Sequence, residues 1–123
     1  MVFQAKQIKG KGRGRELGFP TINLLTSDEI SFDDGIYAAW VVIDSKPYKG
    51  ALHYGKIPTF SENEKTMEVY LLDITDNNFP NTDGKIIEVD VVQHIRDVKR
   101  FLDPSDLVDQ IVRDVEKVSI ILK

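Results

Sequence analysis

Gly35-Ile-Tyr-Ala-Ala-Trp-Val-Val-Ile43, the polar Asp44-Ser45-Lys46 and Pro47-Tyr-Lys-Gly-Ala-Leu-His-Tyr54 form the stretch that decides the fold class of this chain. The first run is rich in β-branched and aromatic residues, and a short polar turn separates it from a second such run, so the pair reads as a β-hairpin. Working outward, Val2–Ile8 alternates loosely, and Ile22, Leu24 and Leu25 after Pro20 suggest a strand. Met67–Ile74 and Lys85–Ile95 read as two more. Between them, Thr75–Gly84 is dense in Asn, Asp, Pro and Gly, which makes it a loop, somewhat long for a simple hairpin. Only the end of the chain is helical in pattern. Asp103 can cap, Pro104 fits the first helical position and Asp106 puts a carboxylate in the first turn. Leu107, Val108, Ile111, Val112, Val115 and Val118 then recur at helical spacing as one apolar stripe. Five or six short strands, mostly in sequential antiparallel order, with one C-terminal helix predict a small, mainly β barrel capped by that helix. Closure would remove exposed strand edges.

The chain has 123 residues, 41% hydrophobic and 29% charged, which fits one domain over residues 1–123 with a core that needs no metal or disulfide staple. It shows no internal repeat, low-complexity tract or domain boundary. No apolar run approaches a membrane span and no signal peptide is read, so the expectation is a soluble, cytoplasmic monomer without membrane contact. The absence of cysteine excludes disulfides, thiol catalysis and Cys-type zinc sites. Net charge is −4, yet Lys6, Lys9, Lys11, Arg13 and Arg15 crowd into one short segment. That asymmetry favours a local anion site over a nucleic-acid surface, which would need a broader basic face and interleaved aromatics.

The anion site has an address. Gly10-Lys-Gly-Arg-Gly-Arg-Glu-Leu-Gly-Phe-Pro-Thr-Ile-Asn23 alternates glycines with cations. Glycines free the backbone to turn successive N–H groups toward an anion, and Lys11, Arg13 and Arg15 add charge. Thr21 and Asn23, two residues apart on an extended chain, point their oxygens the same way and suit a hard cation such as Mg²⁺. The segment lacks the Gly-Lys-Ser/Thr ending of a Walker A loop and the spacing of a dinucleotide fingerprint. Read alone, such glycine–cation runs are more often solvated loops or nonspecific polyanion contacts. On Met67–Leu71, alternation sends Met67, Val69 and Leu71 to one face and Glu68 with Tyr70 to the other. Glu68 is then either a strand-borne general base or an ordinary solvent-facing glutamate. His53 and His94, the only histidines, lie far apart and lack zinc-ligand spacing; His53 either lines a cleft or is structural.

Several separated segments match one family together: Gly10-x-Gly12-Arg13-Gly14 leading to Leu17-Gly18-Phe19-Pro20-Thr21-x-Asn23; Gly35-Ile36-Tyr37-Ala38; and Tyr54-Gly55-x-x-Pro58-Thr59-Phe60. Met67-Glu68-Val69-Tyr70-Leu71-Leu72-Asp73, Ile95-Arg96, Phe101 and Leu107-x-x-Gln110-Ile111-x-x-Asp114 continue the match in order. The chain resembles the riboflavin kinase (flavokinase) domain, which stands alone in eukaryotes and forms the C-terminal part of bacterial bifunctional riboflavin kinase/FAD synthetases. The resemblance implies a six-stranded antiparallel Greek-key barrel with a C-terminal helix, and transfer of the ATP γ-phosphoryl to the ribityl 5′-hydroxyl of riboflavin, giving FMN. It further implies that Thr21 and Asn23 hold Mg²⁺ and nucleotide phosphates. A loop of Gly10, Lys11, Gly12, Arg13, Gly14 and Arg15 would cover the phosphates, and Glu68 would be the catalytic base. Arg96, Arg100, Phe101, Leu107 and Gln110 would belong to a flap beside the flavin ring, and a nucleotidylyltransferase domain would belong to a longer parent chain. The chain departs from the pattern at Ile22, at His53 where Asn is common, at Val98 where a glutamate is expected, and in the length of Thr75–Gly84. The loss of charge at Val98 motivates a second reading, a non-catalytic flavin- or nucleotide-binding module.

Overall fold

A computed structural model of the chain describes residues 1–9, 20–27, 30–55, 65–74, 78–99 and 101–123. Six strands and one helix follow in order: β1 Val2–Ile8, β2 Thr21–Leu24, β3 Gly35–Ile43, β4 Lys46–Gly55, β5 Thr66–Leu71, β6 Ile86–Arg96 and α1 Pro104–Ile121. The strands close into a barrel in the order β1-β2-β5-β4-β3-β6, every pairing antiparallel. β3, β4 and β5 are consecutive and β6 returns to lie beside β3, a Greek key. Where the sequence suggests mostly sequential pairing, β2–β5, β3–β6 and β1–β6 instead join strands distant in the chain.

The central hairpin forms as anticipated, with Ile43 opposite Lys46. Only Asp44 and Ser45 make the turn, both at positive φ (51° and 68°), the twist that matches a two-residue hairpin loop to its strands. β5 stops earlier than expected, because Asp73 takes φ 59° and turns the chain out of the ladder.

Alternation divides the molecule. Inward residues Ile22, Leu24, Tyr37, Val41, Leu52, Tyr54, Met67, Val69, Ile87 and Val89 build one buried cluster inside the barrel. Each large apolar side chain so buried contributes about 1.5–3 kcal/mol. Phe32 stacks on Tyr54 at 4.1 Å and meets Tyr37 edge-on at 5.1 Å, extending this core into the 30–34 segment. The Tyr54 hydroxyl donates to the Ile30 carbonyl at 3.1 Å and Tyr37 donates to that of Asp33, so neither buried hydroxyl goes unpaired. A second cluster sits outside: Ala38 and Ala51 face each other on β3 and β4, and Val118 and Leu122 cover them, with Trp40, Tyr70, Ile95 and Val115 around the edge. β3 is thus buried on both faces over part of its length, which explains why Gly35–Ile43 reads as a nearly continuous apolar run.

The α1 cap is as expected: Asp103 Oδ1 accepts from the Ser105 N–H at 2.8 Å and Pro104 opens the helix. The stripe is not purely apolar, however. Val112 is exposed, while Gln110 and Asp114 join Ile111 and Val118 on the buried face. Among the described residues no helix is long and apolar enough to cross a membrane.

Gly50 shows how tightly the interior is filled. A Cβ there would lie 2.5 Å from Val69 Cγ1 and 3.3 Å from Val41 Cγ2. Gly50→Ala should therefore destabilise the domain by about 1–3 kcal/mol in denaturant titration. The cost should shrink when measured in a Val69→Ala background, and an equal cost in both backgrounds would contradict the crowding.

Candidate active site

The residues that the sequence marks for chemistry lie along the outer face of β2, β5 and β4. Ile22 and Leu24 point into the core, so Thr21 and Asn23 point out. Met67, Val69 and Leu71 are buried, so Glu68 and Tyr70 lie on the outer face, as alternation predicts. Register then sets the neighbours. Asn23 lies directly opposite Glu68, and Glu68 on its other side opposite His53. His53 lies opposite Ile36, and Ile36 opposite Arg96. Directly opposed residues share a face, so one row crosses five strands as Asn23, Glu68, His53, Ile36 and Arg96. Thr21 stands opposite Tyr70 in the next row.

At one end of the row, Thr21 and Asn23 line an open cleft of about 580 Å³ together with Gln7, Lys9 and the 79–83 segment. Glu68 is not among its described lining residues; it stands on the adjoining strand. Among the described residues no group of three His, Cys, Asp or Glu side chains gathers that could cage a metal. What Thr21 and Asn23 offer is a hydroxyl and an amide oxygen. That donor set suits Mg²⁺, which keeps several waters and completes its shell with substrate phosphates.

At the other end, Arg96 reaches α1. Its Nε and Nη2 donate to the two Asp114 carboxylate oxygens at 2.8 and 2.7 Å, a bidentate fork, and Nη1 donates to the Asp97 carbonyl at 2.9 Å. Gln110 Nε2 donates to Asp114 Oδ1 at 3.0 Å. The side chains are only 12% and 5% exposed, so this is an ion pair largely removed from water. A polar group on the buried face of a helix must be paired, which is why Gln110 and Asp114 interrupt the apolar stripe. Two irregularities in the β3–β6 register, around Val92 and Ile95, accompany the turn of β6 toward the helix. Half-buried His53 sits near this network. Burial first, and the Arg96 cation second, push its imidazole below the ordinary value of 6.5.

Comparison with known proteins fits this geometry. Residues 1–122 match the family described as Flavokinase: Riboflavin kinase. The chain belongs to the riboflavin kinase family. It is 34% identical over 110 residues to a bifunctional riboflavin kinase/FMN adenylyltransferase of Haemophilus influenzae, covering 89% of this chain and 34% of that protein. Among solved structures, a Streptococcus pneumoniae protein titled a macrolide-efflux protein superposes with a TM-score of 0.82 at 30% identity, covering 96% of this chain and 38% of that one. A riboflavin kinase from Trypanosoma brucei superposes with a TM-score of 0.68 at 23% identity, covering 98% of this chain and 78% of that one, a likeness of fold. The chain spans 16–47% of the length of several curated relatives it matches.

Set in the riboflavin kinase frame, the anticipated site residues fall into three groups. Thr21, Asn23 and Glu68 share the outer face of neighbouring strands. Arg96 and Gln110 join through Asp114, while Phe101 and Leu107 are half-buried nearby in sequence. The loop Gly10, Lys11, Gly12, Arg13, Gly14 and Arg15, and Arg100 with it, lie outside the described residues. Sequence reasoning did not assign Asp114, Gln7 or the 79–83 wall to the site. For Asp114 a signal existed, a polar pair four residues apart on a helix otherwise apolar on that face.

Because the folded-state pKa of His53 is depressed, the unfolded chain binds its proton more readily. Its contribution to stability is complete above the unfolded value and declines as pH falls from about 6.5 toward the folded pKa. Denaturant midpoints should fall between about pH 7 and pH 5, above the range where ordinary carboxylates protonate, and His53→Asn should flatten that slope. An unchanged slope in the variant would remove His53 as its source.

Proposed function

We propose that this domain transfers the γ-phosphoryl group of ATP to the 5′-hydroxyl of riboflavin, giving FMN and ADP. One observation carries the reading: register sets Glu68 opposite Asn23 on the outer face that also bears Thr21, in a chain of the riboflavin kinase family. Phosphoryl transfer asks mainly for positioning and charge neutralisation, with a group to receive the nucleophile's proton. Thr21 and Asn23 would hold the triphosphate end of the nucleotide together with Mg²⁺, which when bound neutralises charge on the phosphate oxygens. The nucleoside end would lie along the cleft toward the 79–83 wall, and Lys9 adds a cation at its rim. Glu68 would accept the proton of the ribityl hydroxyl as its oxygen bonds to the γ-phosphorus and the bond to the ADP oxygen breaks. A carboxylate on a paired strand is held rigidly, which suits a base that must meet one hydroxyl in one orientation. The flavin ring would lie toward His53 and the Arg96–Asp114 end of the row, with Phe101, Leu107 and Gln110 on that side. A longer parent chain bearing a nucleotidylyltransferase module accords with the name of the Haemophilus influenzae relative.

Glu68→Gln keeps the shape of the side chain and removes its basicity. Riboflavin turnover, followed as FMN formed with ATP and Mg²⁺, should fall about 10²- to 10⁴-fold, with flavin affinity nearly unchanged. Undiminished turnover removes the base assignment, and FMN binding by a wild-type chain that shows no turnover favours a non-catalytic module. Asn23→Ala should raise the Mg²⁺ concentration needed for half-maximal rate while leaving riboflavin affinity near its wild-type value, measured by titrating metal at fixed nucleotide.

A further inference from the structure

The cleft wall formed by residues 79–83 is irregular backbone, and such backbone keeps a shape only where it is tied down. β1 supplies the tie. Half-buried Gln7 is among the residues lining the cleft, and the two amide ends of its side chain point different ways. Oε1 accepts the Gly84 N–H at 2.8 Å, while Nε2 donates to the Ile8 carbonyl on its own strand at 2.9 Å. The backbone completes the attachment: the Gln7 N–H donates to the Lys85 carbonyl at 2.8 Å, and the Lys85 N–H to that of Thr82 at 3.0 Å. Thr82 is buried, and the Asp83 N–H donates to Asn81 Oδ1 at 3.2 Å. Gly84 takes φ +68°, a conformation free of penalty for glycine, in the turn that offers its N–H to Gln7.

We propose that Gln7 is a positioning residue for nucleotide binding: its side chain braces the 79–83 wall against β1, so that the wall is already formed when the nucleoside half of the triphosphate enters. The proposal rests on the phosphoryl-transfer reading above. It follows from what the side chain must do. An aliphatic residue of the same size fills the space without accepting from Gly84, and asparagine is one methylene shorter. Glutamate keeps the acceptor for Gly84, loses the donor to Ile8 and adds a negative charge, so its readout is Gly84 exchange and not affinity for an anionic nucleotide. A wall already in place lowers the ordering cost that binding would otherwise incur. It stands apart from Glu68, so its effect belongs to nucleotide affinity and not to the chemical step.

The test uses the full chain with Gln7→Leu and Gln7→Glu, each checked for wild-type secondary structure. Amide hydrogen exchange reads the brace, ADP–Mg²⁺ titration reads affinity, and steady-state kinetics reads KM and kcat for ATP and riboflavin. In Gln7→Leu the Gly84 amide should exchange faster, and the ADP dissociation constant and the KM for ATP should rise about five- to tenfold, the equivalent of one lost hydrogen bond. The kcat and the KM for riboflavin should stay within about twofold of wild type, a change small against that expected rise. Gln7→Glu should recover most of the Gly84 protection, since it keeps the acceptor. Unchanged Gly84 exchange in Gln7→Leu overturns the brace. Faster exchange with unaltered ADP affinity, or a loss confined to kcat, overturns its role in binding. A wild-type chain that binds ADP but never phosphorylates riboflavin defeats the functional reading alone, since exchange and titration still decide the role of Gln7.

Discussion

Closure of the barrel is the constraint from which the rest descends. Once Leu52, Met67, Val69 and Ile22 must all face one interior, the register of β2, β5 and β4 has no freedom, because a slip of one residue would turn every side chain to the opposite face. The polar residues between them are then aligned outside by the core's demands alone. Asn23, Glu68 and His53 lie side by side because their apolar neighbours pack on the other side of the same strands. The arrangement of the site is thus a by-product of core packing. It inherits the rigidity of that core, which catalysis by positioning requires.

The outer face is shared between two environments. Where β3 and β4 present Ala38 and Ala51, nothing stands between sheet and helix, and α1 lies close. Where Thr21 and Asn23 emerge from β2, the face opens into the cleft. α1 belongs to both regions: Val118 and Leu122 seal the apolar part, while Gln110 and Asp114 engage Arg96 beside the polar row. A helix that otherwise serves as a lid on small residues is thereby fixed in rotation by a directional contact that apolar packing alone would not provide.

Much of this was legible in the sequence, and the limits are physical. The six strands and the helix announce themselves through β-branched runs, turn residues and a capping aspartate, since those signals are local. The alternation at Met67–Leu71 correctly separates core from outer face, because it depends only on strand geometry. Pairing order is another matter: β2 with β5 and β3 with β6 are contacts between distant segments that no local pattern encodes. The same holds for Gln7, whose partner Gly84 lies 77 residues away, and for the cleft wall of which both form part. The apolar stripe of α1 reads as uniform in the sequence because a glutamine and an aspartate look like solvent-facing residues until the arginine that pairs with Asp114 is placed. Arg96 itself, marked through the family resemblance as a flavin contact, proves to have its guanidinium engaged by Asp114 and the Asp97 carbonyl.

The Arg96–Asp114 fork also bears on how this chain can change over time. Replacing either partner alone strands a charge with little water around it, and replacing both with apolar residues still leaves the buried Gln110 amide without its acceptor. The three positions therefore form a single unit of inheritance, spread over β6 and α1, in which each intermediate step is unfavourable. A change of partners here would have to pass through such an intermediate, whatever the merit of the destination.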